Sequence, residues 1–237
     1  VQKTLKKIIP KDHSRQVGIE YYIENILKIS QENNLYTILD LGCGRGESIK
    51  YFYSLNKKIE WFGVDIKQSP EVLTRDKKKE RVITFDGNNL PFQDNSFDLI
   101  YCKQVFEHVK YPRELLIEIQ RILKPGGHFV GSTSYLEPYH SYSVWNYTPY
   151  GFSLLIHESK LKLLELRPGI DSLTLIMRRA FRDTKLFNIF WKVESPLNFA
   201  ITVIGKIFMI SAFSINSIKL LFCGHFIFFV TKDKPAV

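Results

Sequence analysis

Cysteine is scarce: Cys43, Cys102 and Cys223 are the three in 237 residues. Their odd number, wide spacing and apolar or glycine-rich surroundings exclude a disulfide framework and a CxxC metal site. A reducing, cytoplasmic setting is expected, without structural zinc, and no motif encodes a metal requirement. Long uncharged runs are missing too. The most apolar stretch, 197–230, is interrupted by Lys206 and Lys219, so no segment reaches the roughly 18 residues of a membrane-spanning helix. Residues 1–10 carry Lys3, Lys6 and Lys7 but lack the apolar core and small-residue cleavage site of a secretion signal. Acids are outnumbered, 24 against 33 Lys and Arg, which gives a net charge of +9. That charge attracts anionic partners without choosing among nucleic acid, acidic headgroups and phosphorylated metabolites. The densest basic run, Lys77, Lys78 and Lys79, reads as a solvated helix end. Internal repeats and low-complexity tracts are absent, which excludes a solenoid.

What is present is enough apolar material, 45% of the chain, for one substantial core, so residues 1–237 are expected to form a single domain. Ile19, Tyr22, Ile23, Ile26, Leu27 and Ile29 predict an amphipathic helix over 18–31, ended by Asn33 and Asn34. From Tyr36 the pattern becomes short apolar runs alternating with helical stretches, the mark of a parallel sheet with crossover helices. The strands are expected at 37–41, 60–65, 82–85, 97–102 and 128–133, with helices at 48–55 and 112–122. Pro125, Gly126 and Gly127 are expected to stop the second of these helices. An aromatic loop, SYLEPYHSYSVWNYTPYGF, follows Thr133. Then come a helix at 150–160, a strand at 161–166, an apolar helical insertion at about 167–222 and a last strand at 225–231.

The first strand runs into Asp40-Leu41-Gly42-Cys43-Gly44-Arg45-Gly46 directly before a helix. These glycines permit a tight strand-to-helix turn against which a ligand can press. Dinucleotide-binding proteins use a similar loop for pyrophosphate. Asp40 would repel that group and attract the ammonium of an amino-acid derivative. Asp65, followed by Ile66, ends the second strand, where a carboxylate can accept both hydroxyls of a ribose. Asp86 and Gly87 end the third, where an acid can meet an adenine amine and a backbone N–H the ring. Lys103 and Gln104 leave the fourth strand at the same rim, their carbonyls directed to the ammonium. Adenosine joined to an amino acid is the simplest ligand, with Cys43 enclosed between the loop glycines.

In order and spacing, ILDLGCGRG, FGVDI, FDGNNLPFQDNSFDLIYCKQVFEHV and LLIEIQRILKPGGHF resemble the motifs of class I S-adenosylmethionine-dependent methyltransferases of the ubiquinone/menaquinone-methyltransferase-like kind (methyltransferase type 11). The resemblance covers about residues 36–133. It implies an α/β, Rossmann-like seven-stranded sheet in order 3-2-1-4-5-7-6, with strand 7 antiparallel and helices on both faces. It also implies S-adenosyl-L-methionine as cofactor, with Asp40, Gly42, Gly44, Asp65 and Asp86 as its contacts. Residues 1–133 would then be the cofactor-binding part and 134–237 the substrate side.

Methyl transfer from a sulfonium is an in-line displacement, so the protein mostly aligns reactants and excludes water; a hydroxyl acceptor adds the need for a base. His108 in Phe106-Glu107-His108-Val109 and His140 in the aromatic loop are the candidate bases. The loop's rings and polar groups suit a sugar, a phenol or another ring. The expected partner is a small-molecule or lipid-linked acceptor. The apolar stretch 197–222 is expected to be covered by the rest of the fold, by a second copy in a homodimer, or by a membrane surface, with Arg178, Arg179, Arg182 and Lys185 supplying positive charge. Competing readings are an RNA methyltransferase, motivated by the charge but lacking an NPPY-like motif after the fourth strand, a non-catalytic S-adenosylmethionine-binding protein, and a nicotinamide-dependent oxidoreductase.

Overall fold

The computed structural model describes residues 3–29, 36–68, 70–74 and 81–234. The expected stop at Asn33 and Asn34, the last residues of the first helix and the run Lys77 to Lys79 lie outside them. Helix α1 (Glu20–Ile29) precedes strand β1 (Tyr36–Leu41), and α2 (Ser48–Leu55) leads to β2 (Ile59–Ile66). Then follow α3 (Pro70–Leu73), β3 (Val82–Phe85), β4 (Phe97–Lys103), α4 (Pro112–Ile122) and β5 (Leu123–Ser134). The remainder is α5 (Pro149–Glu158), β6 (Lys162–Pro168), α6 (Ser172–Ala180), α7 (Pro196–Ile207), α8 (Ala212–Phe222) and β7 (His225–Thr231).

The seven strands form one sheet in order β3-β2-β1-β4-β5-β7-β6. β7 runs antiparallel to both β5 and β6, and the other pairings are parallel. Strand order reverses at β1, which pairs with β2 on one side and β4 on the other. Crossovers leave in opposite directions there, so a crevice opens beyond the carboxyl ends of the strands. Asp40 stands beside Gly63 of β2 and Tyr101 of β4, at the floor of that crevice.

Burial on both faces makes the central strands continuously apolar, as parallel strands require. On one face Phe106, Phe129, Phe152, Phe226 and Phe228 join Leu115, Leu116, Ile119 and Ile122 of α4. On the other, Ile19, Tyr22, Ile23 and Ile26 at the start of and along α1 cover Phe52, Trp61 and Tyr101. The close fit is visible at Gly131, where an added Cβ would sit 2.2 Å from the Cys102 carbonyl and 2.4 Å from the Phe228 ring.

The boundary that differs from expectation is the start of β5. α4 ends at Ile122 as expected, but β5 begins at Leu123 rather than at 128 and includes Pro125, Gly126 and Gly127. Gly126 takes φ +79° and donates its N–H to the Lys232 carbonyl at 2.8 Å, while Lys232 N–H donates to Gly127 at 3.2 Å. The Pro-Gly-Gly turn is therefore a kink in the entry of β5, tied to the end of β7, where the register against β4 also shifts. The helical insertion between β6 and β7 comprises α6, a 3-10 turn at Lys185–Trp191, α7 and α8. No helix among the described residues is long and apolar enough to cross a membrane.

Phe228 is fully buried and contacts the rings of Phe106, Phe129 and Phe152. Phe228→Ala is expected to lower the free energy of unfolding by about 3–5 kcal/mol through lost burial and a cavity, read from urea unfolding curves of the two proteins.

Candidate active site

The loop after β1 turns on three glycines with positive φ, Gly42 (+72°), Gly44 (+50°) and Gly46 (+68°). A Cβ at Gly42 would lie 2.4 Å from a Val105 methyl, so both conformation and space demand glycine there. Gly42 and Cys43 donate their N–H groups to the Val64 carbonyl at 2.8 and 3.1 Å, which fastens the loop to β2. A cavity of about 460 Å³ opens above it, lined by Asp40, Gly42, Cys43, Gly44 and, from the other side, Tyr101 and Lys103.

Asp40 is buried beneath this cavity. Ser48 Oγ donates to its carboxylate and in turn accepts Trp61 Nε1–H at 3.1 Å. Burial pushes the Asp40 carboxyl up to about 7, against the pull of Ser48, and the nearby Asp65 charge pushes the same way. A buried acid held so far above its ordinary range would be stabilised as the carboxylate by a cation entering the cavity.

Asp65 sits at the end of β2 with its carboxylate between two backbone donors, Gly44 N–H at 2.6 Å and Ile66 N–H at 2.7 Å. Gly87 faces Ile66, since a Cβ there would come to 3.8 Å from an Ile66 methyl, and Ile66 is exposed on the rim. Asp86 is placed differently from the glycine-loop acids. It lies at the exposed turn after β3, where it accepts from the N–H groups of Asn88 (2.8 Å) and Asn89 (2.7 Å) and from Asn89 Nδ2 (2.6 Å). The Asn89 side chain, followed by these backbone donors, holds the Asp86 carboxyl down at about 2. Lys103 lines the cavity and lies 3.4 Å from Glu20. Gln104, at φ +54°, turns its side chain away to donate to Ser132 Oγ at 2.8 Å. The structure thus gathers Asp40, Gly42, Cys43, Gly44 and Lys103 around one cavity. Asp65, Ile66, Gly87 and Asp86 succeed one another along the adjoining strand ends.

After β4 comes a 3-10 turn, Phe106–His108, to which the loop that follows β5 is tied. Val144 and Trp145 N–H donate to the Glu107 carbonyl at 2.6 and 3.1 Å, Trp145 Nε1–H to Val109 at 3.0 Å and Tyr147 OH to Phe106 at 3.1 Å. His108 and His140 meet edge to face, their rings 5.5 Å apart. His140 Nδ1 lies 3.4 Å from Glu137, whose other oxygen is 2.5 Å from His225 Nε2 and accepts Ser134 Oγ–H at 2.5 Å. Burial pushes His140 below 6.5; Glu137 opposes this, and His108 and Arg179 reinforce it. Burial alone would raise Glu137, but His225, Ser134 and His140 outweigh it and hold the carboxyl low. Glu107 is fully buried, accepts from Thr133 Oγ1 at 3.1 Å through Oε2, and leaves Oε1 without a partner among the described residues. Its carboxyl is pushed up to about 7 by burial. Ligating atoms of Glu107, His108 and His140 lie within 4.8 Å of one another, a trio of metal-binding type that the sequence did not announce.

Glu107, Glu137 and His225 were missed as site residues. The Glu137–His140 spacing was visible in the aromatic loop. His225, far along the chain at the start of β7, could be joined to them only through the antiparallel pairing of Ser134 with His225.

The strand order, the glycine loop and the acids at successive strand ends define the class, the S-adenosylmethionine-dependent methyltransferases of class I. Within it, residues 39–131, less than half of the chain, match the family described as methyltransferase domain. An uncharacterised protein of Methanocaldococcus jannaschii is 42% identical over 108 residues, covering 46% of this chain and 45% of its own length. The phthiotriol/phenolphthiotriol dimycocerosates methyltransferase of Mycobacterium tuberculosis is 30% identical over 95 residues, 39% of this chain and 35% of that protein. The chain thus matches less than half the length of these curated relatives. Among solved structures, a putative sarcosine dimethylglycine methyltransferase from Galdieria sulphuraria superposes with a TM-score of 0.59 at 15% identity, over 91% of this chain and 85% of that one, a likeness of fold.

Asp40→Asn tests the electrostatics of the cavity floor. A folded-state value near 7 lies above the unfolded 3.8, so the wild type has this group's contribution in full below about 3.8 and loses it as pH rises through about 7. Without ligand, the variant is expected to gain stability relative to wild type between pH 4 and pH 8, measured by urea unfolding; a pH-independent difference would contradict the assignment.

Proposed function

We propose that the protein transfers a methyl group from S-adenosylmethionine to a hydroxyl of a small-molecule or lipid-linked acceptor. The observation that carries the cofactor half is the buried Asp40 carboxyl beneath a cavity walled by bare glycine backbone. Such an acid fits a ligand bearing an ammonium, and a pyrophosphate would be repelled by it. Asp40, Gly42, Cys43, Gly44, Lys103 and the backbone at Gln104 would hold the amino-acid end. Asp65 and Ile66 would hold the ribose, since a carboxylate has about four acceptor sites and two backbone donors already orient this one. Asp86 and Gly87 would meet the adenine edge. When bound, the cofactor supplies an electrophilic methyl carbon on a sulfonium.

On the acceptor side, His140 is the base. Its low pKa leaves the imidazole neutral at neutral pH, ready to take the hydroxyl proton as the oxygen becomes nucleophilic. Glu137 orients the ring and stabilises the imidazolium once the proton arrives, while His225 and Ser134 fix Glu137 in place. His108, edge-on to His140, completes the polar wall. The aromatic loop, with Tyr139, Tyr142 and Trp145 exposed, provides faces for a ring or sugar and closes the reacting centre to water. A lipid-linked acceptor is supported by the similarity to a methyltransferase named for dimycocerosate lipids and by the apolar insertion beside this loop.

Titration calorimetry with S-adenosylhomocysteine is expected to show binding to the wild type, at least about tenfold weaker in Asp65→Ala through loss of charge-assisted hydrogen bonds. No binding to the folded wild type, or preference for a nicotinamide dinucleotide, would overturn the cofactor assignment. With hydroxyl acceptors, His140→Gln is expected to lower kcat about a hundredfold or more. The wild-type rate should be level above pH 6.5 and fall on the acid side, and that acid limb should vanish in the variant. Efficient transfer to nitrogen in RNA would replace the acceptor half of the proposal and leave the cofactor half standing.

A further inference from the structure

α7 is built inside out. It turns Asn198, Thr202 and Gly205 inward and leaves Phe199, Val203, Ile204 and Ile207 exposed, with Phe208 and Met209 in the turn beyond. Ile207 is 70% exposed and Met209 92%. A surface helix that only packs on a core has the opposite arrangement, as α4 does with its buried Leu115, Leu116 and Ile119.

The inversion follows from what lies beneath the helix. Asn198 Nδ2 donates to Gln16 Oε1 at 2.7 Å and to the Gly169 carbonyl at 2.8 Å. Thr202 Oγ1 donates to Glu194 at 2.8 Å, and Glu194 pairs with the buried ammonium of Lys219, which also donates to the Ser14 carbonyl at 2.7 Å. Rolling the apolar side chains inward would strip these groups of their partners, and each buried polar group left unpaired is penalised. The outward apolar face is therefore fixed by the polar floor.

Charge narrows the occupant. Between 172 and 222 the acids are Asp183 and Glu194; the first pairs with Arg178 and Arg179 and the second with Lys219. Arg182, Lys185, Lys192 and Lys206 are exposed and form no ion pair among the described residues. A second copy docked symmetrically on this face would bring like charges together. Anionic headgroups would meet cations beside an apolar surface, the arrangement of an in-plane membrane helix. At twelve residues α7 is too short to span a bilayer.

We propose that α7 and the turn after it dock the protein on an anionic lipid bilayer, with Phe199, Ile204, Ile207, Phe208 and Met209 in the headgroup–acyl boundary. Arg182, Lys185, Lys192 and Lys206 meet the headgroups. The same insertion reaches the acceptor side, because Trp191 stacks on His225 at 5.2 Å. Docking requires neither methyl transfer nor the cofactor, so it stands or falls apart from the proposed reaction.

The test is sedimentation of the full chain with phosphatidylcholine vesicles made with and without phosphatidylglycerol. The wild type is expected to co-sediment with the anionic vesicles, less so as salt is raised. The double variant Ile204→Asp/Ile207→Asp should bind them about tenfold more weakly or worse. Lys185→Glu/Lys192→Glu should lose the preference for phosphatidylglycerol. All these positions are exposed, and unfolding temperatures matching wild type would confirm intact folds. Wild type remaining in the supernatant with both vesicle types, or the apolar double variant binding as wild type does, would overturn the proposal. So would light scattering that shows a dimer which Ile204→Asp/Ile207→Asp converts to monomer.

Discussion

The rim of this fold is held by the Asp65 carboxylate, gripped between the N–H of Gly44 and that of Ile66. One bond reaches across to the loop after β1 and the other closes on the end of β2, so two neighbouring strand ends share one anion. The loop could not meet Asp65 with a side chain at Gly42, because Val105 fills that space, nor without the left-handed conformations its glycines supply. Cavity, loop and acid thus constrain one another. The position of Asp40 below them is fixed in turn by its pairing against Gly63 and Tyr101.

Four carboxylates, Asp40, Glu107, Glu137 and Asp86, are set differently by their surroundings. Asp40 and Glu107 are buried with few donors and are pushed up to about 7, whereas Glu137, also buried, is held low by the histidine and serine around it. Asp86, at the surface, is lowered by its own turn. Acids of similar chemistry therefore divide into two that favour an incoming cation or proton and two that stay ionised.

Strands were legible in the sequence because parallel strands are apolar on both faces and end abruptly at a polar residue or glycine; β1, β2 and β4 needed nothing more. The glycine loop and its acids were legible because a tight strand-to-helix turn demands glycine and the acids recur at the ends of successive strands. The end of α4 was legible, but that Pro125 to Gly127 lie within β5 was not, since proline and glycine end a helix and kink a strand alike and only the pairing with β7 distinguishes the two. Glu137 and His225 were not legible as a pair, because antiparallel insertion of β7 unites them and no local pattern encodes it. α7 read as simply apolar; its direction depends on Gln16, Gly169 and Glu194, which belong to other parts of the chain.

The placement of β7 between β5 and β6 bears on how the chain folds. Ser134 at the end of β5 pairs with His225, some ninety residues later, and among the described residues β6 pairs with no strand but that same late one. Until β7 arrives, two strands present open hydrogen-bonding edges, the condition in which chains pair with the wrong neighbour. Closure of that long loop is entropically opposed, and Glu137 meets His225 only once β7 is in place.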